Sequence, residues 1–256
     1  MLYSYLISLF WFVFRIDDYT PVVEEETVHL YKYGLIFYLC TKILEIMDLV
    51  EEIVAKLLLD IKAVRLSPDA PFTWASGWRA PIYCDNRKIL SFPEQRKIIY
   101  DNLTRLVKEN YPDAEVIAGV ATGAIAWGAL VAEMLNLPFI YVRPIPKDHG
   151  TGAQIEGYLP DGASVVVVED LISTGASSLS AVNCLNRSGA NVLGMVAIFS
   201  YNFDVARRSF EYANCELRTL TNYDMLIEQA LKSGYIKEEM METLRQWRYR
   251  PEAWGK

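Results

Sequence analysis

Short apolar runs alternate with segments of helical spacing through the second half of the chain. Such runs predict strands, and the one that has no polar face, Val165–Val168, is typical of a parallel strand covered on both sides. The predicted strands are Val116–Val120, Pro138–Val142, Val165–Val168 and Val192–Phe199, and the helices between them are Ile125–Leu135 and Ala176–Arg187. This order predicts an α/β fold with a central parallel sheet flanked by helices, and a ligand site at the carboxyl ends of its strands.

The segment before this core has a different pattern. Apolar residues at helical spacing predict helices over Leu49–Ala63 and Glu94–Lys108. Between them, Phe72–Arg87 is rich in aromatic residues and is punctuated by Gly and Pro. We expect a small N-terminal hood at about residues 64–92, with an aromatic mini-core as the alternative, then a core at about 94–200 and a C-terminal helical segment at about 222–256.

Residues 1–46 differ in character from the rest. Their first apolar run, Leu2–Phe14, has 13 residues, fewer than the ~18 to 20 that cross a bilayer as a helix. The run is preceded by no basic region and followed by no small-residue cleavage site, so it does not resemble a signal peptide. We expect residues 1–46 to be an N-terminal extension outside the fold, Met47 to be the natural start, and residues 47–256 to form one domain without a membrane anchor.

Composition narrows the class of protein. The net charge of -7 and the pI near 5.0 argue against a nucleic-acid-binding surface, which needs clustered Lys and Arg. The four cysteines, Cys40, Cys84, Cys184 and Cys215, are scattered and form no CxxC motif. Free thiols in a cytoplasmic protein are the simplest interpretation.

The stretch that follows Val168 carries the candidate chemistry. Glu169 and Asp170 come directly after the predicted strand, and the small residues Ser173–Ser178 lead into a helix. Unpaired N–H groups at a helix start bind phosphate readily. The two acids would repel a phosphate, so we expect them to accept hydrogen bonds from the hydroxyls of the same ligand. A phosphorylated sugar meets both demands; the alternative is an ordinary strand-turn-helix whose acids face solvent.

Two further segments are expected beside this stretch. The turn at Thr122–Gly123 ends the neighbouring strand, where Gly123 would let backbone approach a second anion; a plain turn is the alternative. The segment Arg143–Gly157 is long, polar and aperiodic, with cation-capable residues at 143, 147 and 149. These features favour a flexible catalytic lid over a disordered surface loop.

The strand, the acid pair and the Thr-Gly turn together resemble the phosphoribosyl pyrophosphate signature of type I phosphoribosyltransferases. The resemblance implies that Glu169 and Asp170 bind the ribose hydroxyls and that the following turn binds the 5-phosphate. It assigns phosphoribosyl pyrophosphate to the stretch Glu169, Asp170, Leu171, Ile172, Ser173, Thr174, Gly175, Ala176 and Ser177. The motif is specific because it follows a strand and opens a helix.

Four segments narrow the resemblance to the orotate phosphoribosyltransferases of pyrimidine biosynthesis. They are Phe72–Gly77, Pro81–Arg87, Tyr141–Gly150 and Val168–Gly175, within a similarity that covers about residues 47–256. The family resemblance implies a homodimer in which the loop 143–157 reaches the active site of the partner. It also implies catalytic roles for Arg143, Lys147, His149 and Asp170, with the first three contacting pyrophosphate, and a place beside orotate for Ser173. Mg²⁺ would arrive on the substrate's phosphates, without dedicated protein ligands.

Three positions depart from part of that family. Some members have lysines at the positions of Ala75 and Pro144, and an arginine that binds orotate at the position of Tyr201, which is therefore the corresponding orotate-binding candidate here. Two other functions remain open: a purine-type phosphoribosyltransferase, and a non-catalytic regulator that senses phosphoribosyl pyrophosphate and binds nucleic acid. The acidic charge and the lack of a helix-turn-helix pattern count against the regulator.

Overall fold

The computed structural model describes residues 49–74, 76–145 and 154–254. The strands of this part of the chain are β1 (Val64–Leu66), β2 (Phe72–Thr73), β3 (Arg79–Ala80), β4 (Ile82–Cys84), β5 (Val116–Val120), β6 (Phe139–Val142), β7 (Ile155–Glu156), β8 (Ser164–Ile172), β9 (Asn191–Ser200) and β10 (Leu217–Asn222). Six of them form one sheet in the order β10-β9-β8-β5-β6-β7. All neighbours in this sheet pair in parallel except β7, which is antiparallel to β6. The predicted central parallel sheet is confirmed.

Helices cover both faces of this sheet. They are α1 (49–60), α2 (Pro93–Asn110), α3 (Ile125–Leu135), α4 (Ala176–Arg187), α5 (Asp204–Tyr212), α6 (Tyr223–Lys232) and α7 (Met241–Tyr249), with 3₁₀ turns at Asn86–Ser91 and Glu238–Met240. The helices predicted at Ile125–Leu135 and Ala176–Arg187 have the observed bounds.

The valines of β8 show why the strand has no polar face. Successive side chains of a strand point to opposite faces. Val166 and Val168 accordingly join the core cluster beneath α1, α2, α3, α6 and α7, while Val165 and Val167 join the cluster beneath α4 and α5. All four valines are fully buried. The strand is therefore central to a three-layer arrangement, and its carboxyl end emerges where the site is expected.

The hood consists of two antiparallel ribbons, in which β1 pairs with β4 and β2 pairs with β3. Part of it is also an aromatic core, because Trp74 packs against Tyr201 and Trp247, at centroid distances of 5.0 and 5.6 Å. The Trp247 indole N–H donates to the carbonyl of Arg79 in β3 at 3.3 Å. The C-terminal helical segment thus packs against the hood through Trp247.

Several details differ from the predictions. Helix α1 ends at residue 60 rather than 63 because Lys62 adopts a left-handed φ of 56°, which an α-helix does not continue. Strand β7 lies within the segment predicted to be aperiodic, and both α5 and β10 follow the last predicted strand. The predicted extension, residues 1–46, lies outside the described residues. No helix among the residues described is long and apolar enough to span a bilayer.

Candidate active site

The start of helix α4 has the geometry expected of a phosphate-binding loop. Gly175 is its N-cap and has a φ of 80°, the left-handed region that glycine adopts without strain. A side chain at this position would also collide with Phe210 of α5, because a Cβ would lie 2.8 Å from its Cε2. The loop residues Thr174–Ser177 are therefore held between β8 and α5, and the amino end of a 12-residue helix points at the loop.

Glu169 is the inner member of the acid pair. Its side chain is 5% exposed. One carboxylate oxygen accepts the backbone N–H of Asp170 at 3.0 Å, and the other accepts the hydroxyl of Ser178 at 2.9 Å. Burial, reinforced by the neighbouring charge of Asp170, raises the pKa of Glu169 well above its ordinary value of 4.5. Glu169 thus joins the end of β8 to the first turn of α4 from inside the protein.

Asp170 is the outer member and is half-buried. Its backbone carbonyl accepts a hydrogen bond from the side-chain amide of Asn86 at 2.5 Å. Burial raises the pKa of its carboxyl group, while a hydrogen bond with Glu169 and the guanidinium of Arg87 act in the opposite direction. Asp170 therefore combines a fixed backbone with a carboxylate that lies at the edge of the site.

The turn after β5 lies directly against that carboxylate. A Cβ built on Gly123 would stand 2.5 Å from both Cγ and Oδ1 of Asp170. The preceding peptide bond, between Ala121 and Thr122, is cis. The prediction that the Thr122–Gly123 turn lies beside the acid pair is confirmed, because β5 and β8 are parallel neighbours whose carboxyl ends meet.

The base of the predicted lid is an antiparallel ribbon. Arg143 donates its backbone N–H to the carbonyl of Gln154 at 2.9 Å, and its own carbonyl accepts the Gln154 side-chain amide at 2.8 Å. Its guanidinium lies 3.4 Å from the carboxylate of Glu156. A cavity of about 170 Å³ separates Arg143 and Pro144 from Ser177 of α4. The base of the lid therefore lies near the phosphate loop, whereas Lys147 and His149 lie outside the described residues.

The two residues predicted to contact orotate, Ser173 and Tyr201, differ in their exposure. Ser173 is partly exposed in the turn between β8 and α4. Tyr201, by contrast, is 2% exposed, and its ring packs against Trp74, Phe203 and Trp247. The predicted contact of Tyr201 with orotate is not supported by this geometry, because the neighbouring rings enclose it.

Asn86 is a site residue for which the sequence analysis predicted no role. It lies in the motif Pro81–Arg87, but nothing in the local pattern indicates a contact with a residue 84 positions later in the chain. Arg87 behaves similarly: its guanidinium pairs with Asp85 at 2.7 Å and also acts on the pKa of Asp170. The signal lies in the structure, where the Asn86 side chain is buried, and buried polar groups need partners.

Comparisons with known proteins agree with this geometry. Residues 89–224 match the family described as the phosphoribosyl transferase domain. The orotate phosphoribosyltransferase of Porphyromonas gingivalis is 55% identical over 204 residues, which are 80% of this chain and 97% of that protein. The orotate phosphoribosyltransferase of Listeria innocua is 53% identical over 207 residues, 81% of this chain and 99% of that one.

A solved structure shows the same fold. The crystal structure of orotate phosphoribosyltransferase from Aeropyrum pernix matches with a TM-score of 0.63 at 29% identity, over 72% of this chain and 99% of that one. The predicted type I phosphoribosyltransferase fold is therefore confirmed. Because the Porphyromonas gingivalis and Listeria innocua relatives are 55% and 53% identical over 80% and 81% of the chain, the chain belongs to the orotate phosphoribosyltransferase family.

Proposed function

We propose that this protein transfers the 5-phosphoribosyl group of phosphoribosyl pyrophosphate to orotate, giving orotidine 5-phosphate and pyrophosphate in the biosynthesis of UMP. One observation carries the proposal: the Asp170 carboxylate, the Gly123 turn and the start of α4 converge at the carboxyl edge of the sheet. This arrangement offers one place for ribose hydroxyls, one for pyrophosphate and one for the 5-phosphate. Relatives that are 55% identical carry the name of the same activity.

Within this site the two acids have unequal tasks. Glu169 is 5% exposed and already accepts two hydrogen bonds from the protein, so it supports the loop from inside. Asp170 is the acid at the edge, where its carboxylate can accept the ribose hydroxyls. The backbone N–H groups of Thr174–Ser177 are proposed to hold the 5-phosphate at the positive end of α4.

The charge that develops during the proposed reaction explains why the site would need cations. Breaking the bond from ribose C1 to pyrophosphate builds positive character on the sugar and negative charge on the leaving group, while orotate N1 attacks the opposite face. Preorganised donors aimed at such a charge contribute roughly 3 to 4 kcal/mol each. Arg143 is the described member of the proposed set, and Lys147 and His149 complete it. Closing the segment over the site would also exclude water from the reactive sugar.

Mg²⁺ is proposed to bind through the phosphates of the substrate. The described residues contain no cluster of three or more His, Cys, Asp or Glu side chains able to hold a metal ion. Mg²⁺ commonly keeps few protein ligands and binds substrate phosphates instead. When bound, it would supply positive charge to the departing pyrophosphate. Asp170 is the carboxylate at the site edge, and the residues present fit an ion that the substrate carries.

Orotate is proposed to lie between Ser173 and the hood. Ser173 is partly exposed at the end of β8, and Tyr83 of the hood is 37% exposed. Backbone groups near Trp74 and Tyr83 can substitute for the cations that other family members carry at the positions of Ala75 and Tyr201. The protein is further proposed to be a homodimer, as the family resemblance implies. It is also proposed to be cytoplasmic, and the three free cysteines in the described part of the chain are consistent with a reducing compartment.

A panel of bases tests the assignment. The protein is incubated with phosphoribosyl pyrophosphate, Mg²⁺ and either orotate, uracil, adenine or hypoxanthine, and the nucleotides are identified by mass. We expect orotidine 5-phosphate with orotate and no purine nucleotide, and loss of the product when Mg²⁺ is chelated. A purine nucleotide without orotidine 5-phosphate would identify a purine-type enzyme. Binding of phosphoribosyl pyrophosphate without any nucleotide would identify a sensor.

A further inference from the structure

We infer that Asn86 is a positioning residue, which fixes the backbone of Asp170 and so ties the hood to the ribose-binding acid. The inference rests on the proposed function for the role of Asp170, and on the geometry of the described residues for everything else. The side-chain amide of Asn86 donates to the backbone carbonyl of Asp170 and not to its carboxylate. The action of Asn86 therefore passes through the main chain of β8.

The Asp170 carbonyl that Asn86 contacts lies near the end of the β5–β8 pairing. Strand β5 pairs with β8 only as far as Val168, although β8 continues to Ile172. On the other side, the β9 pairing joins Glu169 and Leu171 to their partners and passes over Asp170. Asp170 therefore lies in the part of β8 beyond its pairing with β5. A carbonyl that is shielded from water is stabilised by a hydrogen-bond donor, and the Asn86 amide donates to this one at 2.5 Å.

The orientation of the Asn86 amide is set by its second contact. The side chain is 1% exposed, and its oxygen accepts a hydrogen bond from the Cys84 thiol at 3.3 Å. Since the amide oxygen faces the thiol, its nitrogen must face the Asp170 carbonyl. Asn86 also begins a 3₁₀ turn whose Ile89 is fully buried, and the preceding Asp85 donates its N–H to the carbonyl of Ala63 at 2.8 Å. The donor is thus held rigidly by the hood.

The consequence for the reaction is geometric. In the proposed function the hood lies beside the base and Asp170 binds the ribose, and the amide of Asn86 forms a hydrogen bond between these two segments. Small displacements of a substrate-binding group reduce rates strongly, because the reacting atoms leave their aligned geometry. Loss of the Asn86 donor should therefore weaken binding of phosphoribosyl pyrophosphate and lower turnover, with a smaller effect on the KM for orotate.

The test compares three variants of the full chain. Asn86→Asp keeps the shape but replaces the donor with a carboxylate oxygen that repels the Asp170 carbonyl. Asn86→Ala removes the donor without adding charge. Asn110→Asp is the matched control, because Asn110 also donates its side-chain amide to a backbone carbonyl, that of Leu106, at 2.8 Å. Readouts are the affinity for phosphoribosyl pyrophosphate with Mg²⁺ by calorimetry, kcat, both KM values and the melting temperature.

We expect Asn86→Asp to lower kcat/KM for phosphoribosyl pyrophosphate at least roughly tenfold at pH 8, and by less at pH 6. At the lower pH the buried carboxyl group that this substitution introduces gains a proton and can donate it to the Asp170 carbonyl. Wild type is measured at both pH values to account for the titration of other groups near position 86. These groups are Cys84, Asp85 and Arg87 in the same segment, Glu169 and Asp170 in β8, and Tyr201 after β9. Asn86→Ala should show the loss without the pH-dependent recovery, and Asn110→Asp should show neither.

Three results would overturn the inference: wild-type affinity and turnover in Asn86→Asp, an equal loss in Asn110→Asp, or losses that only follow a reduced melting temperature. If Asn86→Asp does not fold, Asn86→Ala decides through the difference between the two KM values. A wild-type protein that makes no orotidine 5-phosphate would refute the proposed function instead. Calorimetry would then still decide the role of Asn86, because it requires binding and no transfer.

Discussion

Gly123 packs its α-carbon against the carboxylate of Asp170, so closely that a Cβ at position 123 would lie 2.5 Å from the carboxylate carbon. This contact joins the ends of two neighbouring parallel strands, β5 and β8. It also requires glycine for a reason unrelated to φ, since Gly123 is not among the residues with a positive φ. The space that a side chain would occupy is already taken by a group proposed to bind ribose.

Gly123→Ala should therefore displace the Asp170 carboxylate. Losing hydrogen bonds to a charged group costs about 1.5 to 3 kcal/mol, which predicts a roughly 10- to 100-fold lower kcat/KM for phosphoribosyl pyrophosphate. Steady-state kinetics with varied phosphoribosyl pyrophosphate measures the effect. Gly162→Ala is the control: no atom lies within 4 Å of its added Cβ, but its φ of 73° makes alanine unfavourable. It should lose about 1 kcal/mol of stability and retain full activity.

Because Glu169 is a buried acid, the stability of the folded protein should depend on pH. Its pKa is raised in the folded protein, mainly by burial, so the unfolded chain releases this proton at lower pH than the folded chain does. The contribution of Glu169 to stability is therefore undiminished below about pH 4.5 and falls as pH rises from there towards the raised pKa. Glu169→Gln cannot ionise, so its stability relative to wild type should increase over that interval.

Melting temperatures of the two proteins between pH 5 and pH 8 measure this difference. Glu133→Gln on α3 is the control for the exchange of Glu for Gln itself, since it replaces an exposed carboxylate and not a buried one. A constant difference between Glu169→Gln and wild type over the same range would show that Glu169 is ionised in the folded protein.

Trp247 connects the C-terminal helix to the hood. It is fully buried, packs against Tyr223 and Phe203 at centroid distances of 5.3 and 5.4 Å, and donates to the carbonyl of Arg79. Trp247→Ala should cost about 3 to 5 kcal/mol of unfolding free energy and raise the KM for orotate, because β3 loses its support. Trp247→Phe keeps most of the packing and should cost about 1 kcal/mol, the value of the lost hydrogen bond. Denaturant unfolding and orotate kinetics distinguish the two.

Sharing of sites across a homodimer predicts complementation between two inactive variants. Lys147→Ala should remove a cation needed by the partner's site and leave the fold intact, while Asp170→Asn impairs its own site. Random pairing of co-produced chains makes half of the dimers mixed, each with one intact site, so about a quarter of wild-type activity should return. Activity no higher than the sum of the separate variants would show that each chain supplies its own lysine.

The local sequence pattern was sufficient to predict the strand, turn and helix that build the site. The valine run, the acids and the glycine that precedes α4 lie next to one another in the chain, and hydrophobic periodicity determines the bounds of α3 and α4. The contact between Asn86 and Asp170 could not be predicted in this way, because it joins a hood turn to a strand through one polar bond. The burial of Tyr201 was missed because the rings that enclose it come from the hood and from the C-terminal helix.

The most direct test of the central claim is the absorbance of orotate when the protein is mixed with phosphoribosyl pyrophosphate and Mg²⁺. Orotate absorbance should decrease in proportion to the phosphoribosyl pyrophosphate supplied, and Asp170→Asn should slow the decrease roughly 10- to 100-fold. An unchanged absorbance with correctly folded wild-type protein would contradict the proposed transfer to orotate. An equal rate in Asp170→Asn would contradict the placement of the site at the end of β8.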